Sequence, residues 1–322
     1  MKEIKVTKND SGQRIDRFLS KSFPLGQGQI CKLARKNCIK LNGKKCKPDT
    51  HIAENDIIKL FIPDEMLIPK AKSDPDDFTG VSDKIDIVYE DENILLVDKP
   101  VGMVVHEDES GDSDTLINRI KSYLYHKGEY HPENELSFAP ALCNRIDRNT
   151  CGIVIAAKNA ESLRILNQKI RDRELTKLYL CIACGKVTPD SATLTAYLEK
   201  NSDTNTVKIS DKKTKSNLTI KTKYKVIAYN GENSLIKVDL LTGRTHQIRA
   251  HLAYIGHALL GDGKYGNNKL NKKYGFKYQA LCSYELQFKF TTDAGCLSYL
   301  DGKCFKAKAP DFVKMFGGNI KL

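Results

Sequence analysis

Apolar residues near the N-terminus recur first at helical spacing and then in alternation. In QRIDRFLSKSF, Ile15, Phe18 and Leu19 fall on one helical face, and Pro24 ends the pattern. GQICKLARKNC repeats the helical spacing, and IKLNGKKCK alternates around an Asn-Gly pair, the strongest short signal for a β-hairpin. The pattern therefore predicts a small helix-helix-hairpin module over residues 1–62.

The pattern changes after this module. Residues 63–84 are polar, acidic and proline-bearing, which predicts a linker. Beyond it, strands are predicted in IDIVYEDENILLVDKP, GIVIAA, TKLYLCIACGKV, KTKYKVIAYN, NSLIKVDLL and LCSYELQFKF, and helices in SDTLINRIKSYLYHKG, AESLRILNQKIRDREL and RTHQIRAHLAYIGH. The predicted fold class is α+β, with a second domain over residues 85–322 that has a long mixed, mostly antiparallel sheet flanked by helices.

The charge of the chain changes along its length. The chain carries 52 Lys and Arg against 40 Asp and Glu, a net charge of +12, which favours a polyanionic partner such as nucleic acid. Residues 1–62 hold 14 basic against 6 acidic side chains, whereas residues 63–100 hold 4 against 11. The distribution predicts two parts that face nucleic acid, joined by a connector that does not.

Several classes of protein lack their sequence features here. No apolar run reaches the ~18 residues of a membrane span, and the N-terminus has no secretory signal. We expect a cytoplasmic monomer without a membrane partner and with its ten cysteines reduced. GxGxxG, P-loop and HExxH motifs are missing, and Cys181 and Cys184 would point to opposite faces of a predicted strand. We therefore expect no cofactor and no metal.

An acid between two bases precedes the predicted strand GIVIAA. Asp147 lies between Arg145 and Arg148 in NRIDRNTCG. A carboxyl group in a pocket gains several pKa units from desolvation, and a close cation reverses this gain. An arginine partner is therefore required on energetic grounds. Two other stretches also combine charged residues and glycines next to predicted strands and have to be interpreted together with this one: VDKPVGMVVH and LLTGRTHQIRAHLAYIGHALLGDGKYG.

These three stretches, in this order, resemble the RluA/RluC/RluD family of ribosomal large-subunit pseudouridine synthases over about residues 85–290. The family's HRLDxxTSG appears as NRIDRNTCG, and its DKPxGxxVH appears as DKPVGMVVH. Its TGRxHQxRxHxxxxGxxxxGDxxYG is matched throughout. Asn144 replaces the family's usual His and Cys151 its usual Ser. Asp147 is in place, so these departures do not by themselves indicate an inactive enzyme.

The resemblance implies roles for single residues. Asp147 would start breaking the bond between uracil and ribose, by attack on the ribose or the base or by deprotonating the sugar. Tyr179 would stack on the uracil and help to move the proton from its carbon 5. Arg244 would pair with Asp147 and keep it ionised. Four more side chains would lie near the RNA backbone: Arg145, Arg148, Lys99 and His106.

The N-terminal module resembles a second known unit. Two short helices followed by the turn RKNCIKLNGKKCK are similar to the RNA-binding module named after ribosomal protein S-four, over about residues 12–62. Phosphate binding by its basic face would be largely independent of sequence and steeply dependent on salt. The side chains expected to contact RNA there are Lys32, Arg35, Lys36, Lys44 and Lys45.

The implied reaction is the isomerisation of uridine to pseudouridine in structured RNA, with 23S ribosomal RNA of the large subunit as the expected substrate. The base is detached at nitrogen 1 and rejoined through carbon 5 with nothing gained or lost, so no cofactor is needed. The uracil needs a flat face, where stacking contributes ~1–3 kcal/mol, and it must leave its helix or loop. Two alternatives stay open: a transfer-RNA substrate, and a non-catalytic RNA-binding factor in ribosome assembly.

Overall fold

The computed structural model describes residues 1–68, 76–107, 111, 113–201, 206–317 and 320–322. The chain divides into two compact units. The first comprises Met1–Lys84, Ile117–Ala141 and Ala157–Arg164, and the second comprises Ile85–Leu116, Leu142–Ala156 and Ile165–Leu322. The division at residues 62 and 84 stays a prediction, and residues 69–75 of the predicted linker lie outside the described part of the chain.

The elements follow one another along the chain in this order. The first half contains β1 (Lys2–Lys5), α1 (Ile15–Ser22), α2 (Gln27–Arg35), β2 (Ile39–Leu41), β3 (Lys44–Lys45), β4 (Ile57–Leu60), α3 (Asp76–Thr79), β5 (Ile87–Glu90), β6 (Ile94–Lys99), α4 (Leu116–His126), β7 (Ala141–Leu142) and β8 (Cys151–Ala157). The second half contains α5 (Ala160–Arg171), β9 (Leu175–Cys184), β10 (Ser191–Asn201), β11 (Thr206–Ser210), β12 (Leu218–Tyr229), β13 (Asn233–Asp239), α6 (Gln247–Tyr254), α7 (Asn268–Lys273), β14 (Leu281–Phe288) and β15 (Cys304–Lys306). Short 3-10 helices span Asp64–Leu67, Pro132–Asn134, Gly295–Leu300 and Asp311–Phe316.

The first unit contains a small antiparallel sheet in the order β1-β4-β2-β3. Ile15, Phe18 and Leu19 of α1 are buried, which confirms the predicted apolar face. The predicted hairpin is also confirmed, because β2 and β3 flank Asn42 and Gly43, whose φ angles of 50° and 77° suit a two-residue hairpin turn. The sequence pattern does not predict β1, since KEIK contains a single apolar residue.

The second unit is built on an 11-stranded sheet whose main path is β11-β10-β12-β13-β9-β14-β8-β6-β5. The strands from β11 to β14 along this path pair antiparallel, and β14 pairs parallel with β8. The predicted mixed, mostly antiparallel sheet is therefore confirmed, and every predicted strand forms. Strands β10 and β11 are additional, because SATLTAYLEKN and TVKIS contain few large apolar residues.

The three helices predicted in the second domain also form, although each is shorter than its sequence pattern. The largest difference concerns RTHQIRAHLAYIGH, in which α6 begins only at Gln247. His246 has φ 53° and ψ 15°, a left-handed conformation that a right-handed helix does not continue through. The residues before it therefore form a loop. Within the described residues, no helix has the length and apolar character needed to cross a membrane.

A close contact between β8 and β14 holds the end of the loop that carries Asp147. Gly152 has φ +106°, and a Cβ atom on it would lie 2.2 Å from the carbonyl oxygen of Ser283. Only glycine adopts this conformation without a clash. The parallel register places Cys151 opposite Cys282 and Gly152 opposite Ser283. The loop is thus anchored where β8 enters the sheet.

Candidate active site

Asp147 lies in the loop between β7 and β8. Its carbonyl oxygen accepts a hydrogen bond from the Thr150 N–H at 3.0 Å, so the loop turns sharply after it. Asn144 fixes the part of the loop before Asp147, since its Oδ1 accepts the N–H of Ile155 in β8 at 2.8 Å. The departure from the family pattern at this position therefore has a structural role, because the amide ties the loop to β8. The Asp147 side chain stays 27% exposed.

Lys99, predicted to lie near the RNA backbone, is fully buried, so that prediction is wrong. Its Nζ donates hydrogen bonds to the carbonyl oxygens of Pro100 at 2.8 Å, Met103 at 2.9 Å and Arg148 at 2.9 Å. Burial lowers the pKa of Lys99 from 10.5 to about 8, so the amine is still protonated at neutral pH. Lys99 joins the loop after β6 to the loop of Asp147.

Arg148 strengthens the same junction. Its Nε donates to the carbonyl oxygen of Gly102 at 3.0 Å, and the Gly102 N–H donates to the Arg148 carbonyl oxygen at 2.9 Å. The Arg148 side chain is nevertheless exposed, as is that of Arg145, while His106 is half-buried. Arg145 and Arg148 are therefore placed where a phosphate could reach them, on either side of Asp147.

The arginine that contacts Asp147 is Arg249 and not Arg244, so the predicted pair with Arg244 is wrong. The Nη1 of Arg249 donates to Oδ2 of Asp147 at 2.8 Å, and the Arg249 side chain is only 6% exposed. Arg244 is exposed and lies in the loop before α6. Because His246 delays the start of the helix, the second arginine of GRTHQIR is the one that the first turn of α6 directs at the carboxylate.

Asp262 holds Arg249 from the other side. Arg249 donates through Nε at 2.7 Å and Nη2 at 3.0 Å to the two oxygens of Asp262, whose side chain is fully buried. The N–H groups of Lys264 and Tyr265 also donate to Asp262 Oδ1. Burial opposes ionisation of Asp262, but the Arg249 and backbone hydrogen bonds outweigh it and lower its pKa. Arg249 thus lies between the buried carboxylate of Asp262 and the partly exposed carboxylate of Asp147.

The pKa of Arg249 reflects the same balance. Burial lowers this pKa, but the hydrogen bonds and charges of Asp262 and Asp147 raise it by more, so the net direction is upward. The guanidinium stays charged at any pH in which the protein is folded. A charged, oriented partner of this kind is what a carboxylate in a pocket needs in order to remain ionised.

Tyr179 lies on β9, opposite Ser283 of β14 and Val238 of β13. The residue is 6% exposed, and burial raises the pKa of its hydroxyl to about 12; a hydrogen bond with Ser283 acts in the opposite direction, and the negative charge of Asp147 adds to the rise. The phenol is therefore neutral at physiological pH. The role of Tyr179 in stacking on the uracil stays a prediction.

The basic residues predicted in the N-terminal module lie on its surface. Lys32 and Arg35 are on α2, Lys36 follows that helix, and Lys44 and Lys45 form β3. All five are exposed. Their contact with RNA stays a prediction.

Three residues at the site were not found from the sequence: Arg249, Asp262 and His246. Each belongs to a motif that the resemblance covers, so the signal is present in GRTHQIR and GDGKYG. What the motif does not show is which of its two arginines reaches Asp147, or that its aspartate is buried. Among the described residues, no group of His, Cys, Asp and Glu side chains is arranged to hold a metal ion.

Comparisons with known proteins identify the family to which this fold and this carboxylate–arginine pair belong. Residues 93–254, half of the chain, match the RNA pseudouridylate synthase family. The chain belongs to this family. Its fold is also similar to that of human RNA pseudouridylate synthase domain containing 1, with a TM-score of 0.55, 21% identity, and coverage of 71% of this chain and 84% of the human one.

Two bacterial relatives extend the likeness to most of the chain. A Mycoplasma genitalium protein named uncharacterized RNA pseudouridine synthase MG370 is 36% identical over 291 residues, which cover 88% of each chain. Ribosomal large subunit pseudouridine synthase D of Borreliella burgdorferi is 32% identical over 268 residues, which cover 81% of this chain and 78% of the relative.

Proposed function

We propose that the chain isomerises uridine to pseudouridine in 23S ribosomal RNA without a cofactor, and that Asp147 is the catalytic aspartate. The observation that carries the proposal is the asymmetry of the Asp147 carboxylate. Arg249 holds Oδ2, whereas Oδ1 has no hydrogen-bond partner in the described part of the chain, and the side chain is 27% exposed. An oriented carboxylate oxygen is thus available to a nucleotide.

The reaction can be assigned to these side chains in three parts. Oδ1 of Asp147 meets the nucleotide and starts to break the bond between uracil and ribose. Arg249 places a positive charge beside the carboxylate and fixes its plane, the position assigned from sequence to Arg244. Tyr179 offers an aromatic surface against which the detached uracil can rotate and, as a neutral phenol, a hydroxyl that can relay the proton from carbon 5.

The RNA substrate is proposed from charge and from the names of relatives. A relative that is 32% identical is a ribosomal large subunit pseudouridine synthase, which favours ribosomal RNA as the substrate. Arg145 and Arg148 flank Asp147 and would contact phosphates of the flipped strand. The N-terminal residues 1–62 would act as an S-four-like module that holds RNA through its exposed lysines and Arg35. From the sequence alone, we further propose a monomer that acts in the cytoplasm.

Tritium release from RNA labelled at carbon 5 of uridine tests the proposal. Ribosomal RNA from cells that lack the protein is incubated with wild type, Asp147→Asn and the control Asp172→Asn, which changes an exposed aspartate after α5. We expect release by wild type and the control, and none by Asp147→Asn, whose RNA affinity stays within a few-fold of wild type. Release by Asp147→Asn would refute the mechanism, and release from transfer RNA alone would refute the substrate.

A further inference from the structure

His246 lies beside Asp147 and has an unusual backbone conformation. It is left-handed, with φ 53°, although it carries a side chain. Its side chain is 9% exposed, and its Nε2 lies 3.9 Å from Oδ2 of Asp147. This is the same oxygen that Arg249 holds. The conformation therefore places an imidazole nitrogen next to the anchored side of the carboxylate.

The contact of the other ring nitrogen, Nδ1, bears on which nitrogen of a neutral His246 ring carries the proton. Nδ1 lies 2.9 Å from the hydroxyl oxygen of Tyr265. That oxygen accepts the N–H of Val207 at 2.8 Å, so the hydroxyl proton is available for donation. Within the described residues, Nδ1 of His246 is the one atom placed to accept this proton, and the 2.9 Å contact is compatible with either direction. If Nδ1 accepts, a neutral imidazole carries its own proton on Nε2, which faces Asp147.

The surroundings of the His246 ring disfavour its charged form. Burial lowers the pKa of His246, and the cations Arg249 and Lys264 add to this, against the opposing charges of Asp147 and Asp262. A neutral ring has a single N–H, so its tautomer decides whether Asp147 faces a donor or a lone pair. A lone pair next to a carboxylate oxygen would repel it.

We propose that Tyr265 fixes His246 in the tautomer with the proton on Nε2, and that this N–H holds Oδ2 of Asp147 during isomerisation. The inference rests on the proposed function. The present 3.9 Å exceeds a hydrogen bond, and a shift of about 1 Å on substrate binding closes it. His246 is thereby a positioning residue, since it acts through Asp147. Two donors on Oδ2 leave Oδ1 alone to meet the nucleotide.

The tautomer can be measured without RNA. Long-range proton–nitrogen correlation spectra of protein labelled with ¹⁵N-histidine distinguish the two tautomers, and among the seven histidines His246 is assigned by the signals lost in His246→Gln. We expect the proton on Nε2 in wild type and a mixture of tautomers in Tyr265→Phe. A wild-type ring with its proton on Nδ1 would overturn the proposal.

Two substitutions of His246 separate a donor role from a backbone role. Glutamine places an N–H₂ group near the position of Nε2, whereas asparagine reaches only as far as Nδ1. Asparagine, however, tolerates a left-handed backbone better than glutamine. If His246 supplies a donor, kcat in His246→Gln stays within about threefold and falls about tenfold in His246→Asn, with KM unchanged in both. The reverse order, with asparagine the more active, would overturn the proposal.

A double substitution tests whether Tyr265 acts through His246. Tyr265→Phe alone should lower kcat in proportion to the lost share of the tautomer with its proton on Nε2, about twofold for an equal mixture. It should have no further effect in the His246→Gln background, where no tautomer remains to be fixed. Independent effects of the two substitutions would overturn the inferred link. If wild type released no tritium from any RNA, the proposed function would fail, and the spectra of the free protein would still support or overturn the hydrogen-bond chain.

Discussion

Replacement of Arg249 by glutamine should affect stability and catalysis for two separable reasons. The arginine is 6% exposed and donates two hydrogen bonds to the fully buried Asp262. Removing one partner of a buried ion pair typically costs about 3–5 kcal/mol, because the other charge is left buried. The same change leaves the Asp147 carboxylate without its cation. We expect Arg249→Gln to be destabilised by about that amount and to lose at least about 100-fold in kcat.

The two effects can be measured apart with a second substitution. In Arg249→Gln/Asp262→Asn no buried charge is left alone, so most of the lost stability should return. Activity should not return, since Asp147 still lacks a cation. Urea unfolding gives the free energies, and tritium release at saturating RNA gives kcat. The matched control is Arg244→Gln, which changes an exposed arginine and should alter stability by less than ~0.5 kcal/mol.

The outcome that would refute this reasoning is recovery of activity in the double variant. It would mean that Arg249 acts only by keeping Asp262 and its loop folded. A loss of activity in Arg244→Gln as large as in Arg249→Gln would instead return the catalytic role to the arginine that the sequence resemblance suggests.

Two further predictions concern RNA binding and pH. Changing Lys32 and Lys36 to alanine should weaken RNA binding and lower the slope of log K against log salt by about 1.5, with kcat at saturating RNA unchanged; an unaltered slope would argue against phosphate contacts by α2. Burial lowers the pKa of His251 from 6.5 to about 4, so the folded state prefers the neutral ring. The contribution of the neutral ring to the free energy of unfolding is complete above about pH 6.5 and is lost as the pH falls through about 4. Between about pH 7 and about pH 4.5, the free energy of unfolding of wild type should therefore fall by about 2–3 kcal/mol more than that of His251→Gln. Urea unfolding of both proteins at about pH 7 and about pH 4.5 measures this, and equal acid sensitivity would count against it.

The elements that sequence predicted correctly are those whose signal is local. The apolar face of α1, the Asn-Gly hairpin and the long apolar strands need only the spacing of neighbouring residues. Strands β10 and β11 were missed because pairing with neighbouring strands, β10 with β12 and β11 with β10, makes them strands rather than their own apolar content. Helix α6 begins later than its pattern indicates, because the left-handed His246 precedes it and contacts residues distant in sequence.

The site was predicted to the level of motifs but not of contacts. Asp147 and Tyr179 could be singled out, since one acid and one strand tyrosine fit the resemblance. The choice between Arg244 and Arg249 could not be made, because both lie in the same motif and only the folded chain shows which one meets Asp147. Lys99 was misplaced for a similar reason: carbonyl groups from two separate loops surround its amine, and only the folded chain brings those loops together.

The buried amine of Lys99 has a thermodynamic consequence for substrate binding. Its three carbonyl acceptors and the reciprocal bonds between Gly102 and Arg148 order the catalytic loop within the protein alone. The conformational entropy of that loop is therefore lost during folding, and RNA does not need to order it on arrival. Binding free energy can then be used to extract the target uridine from its stack, the costly step for an enzyme that acts on a base.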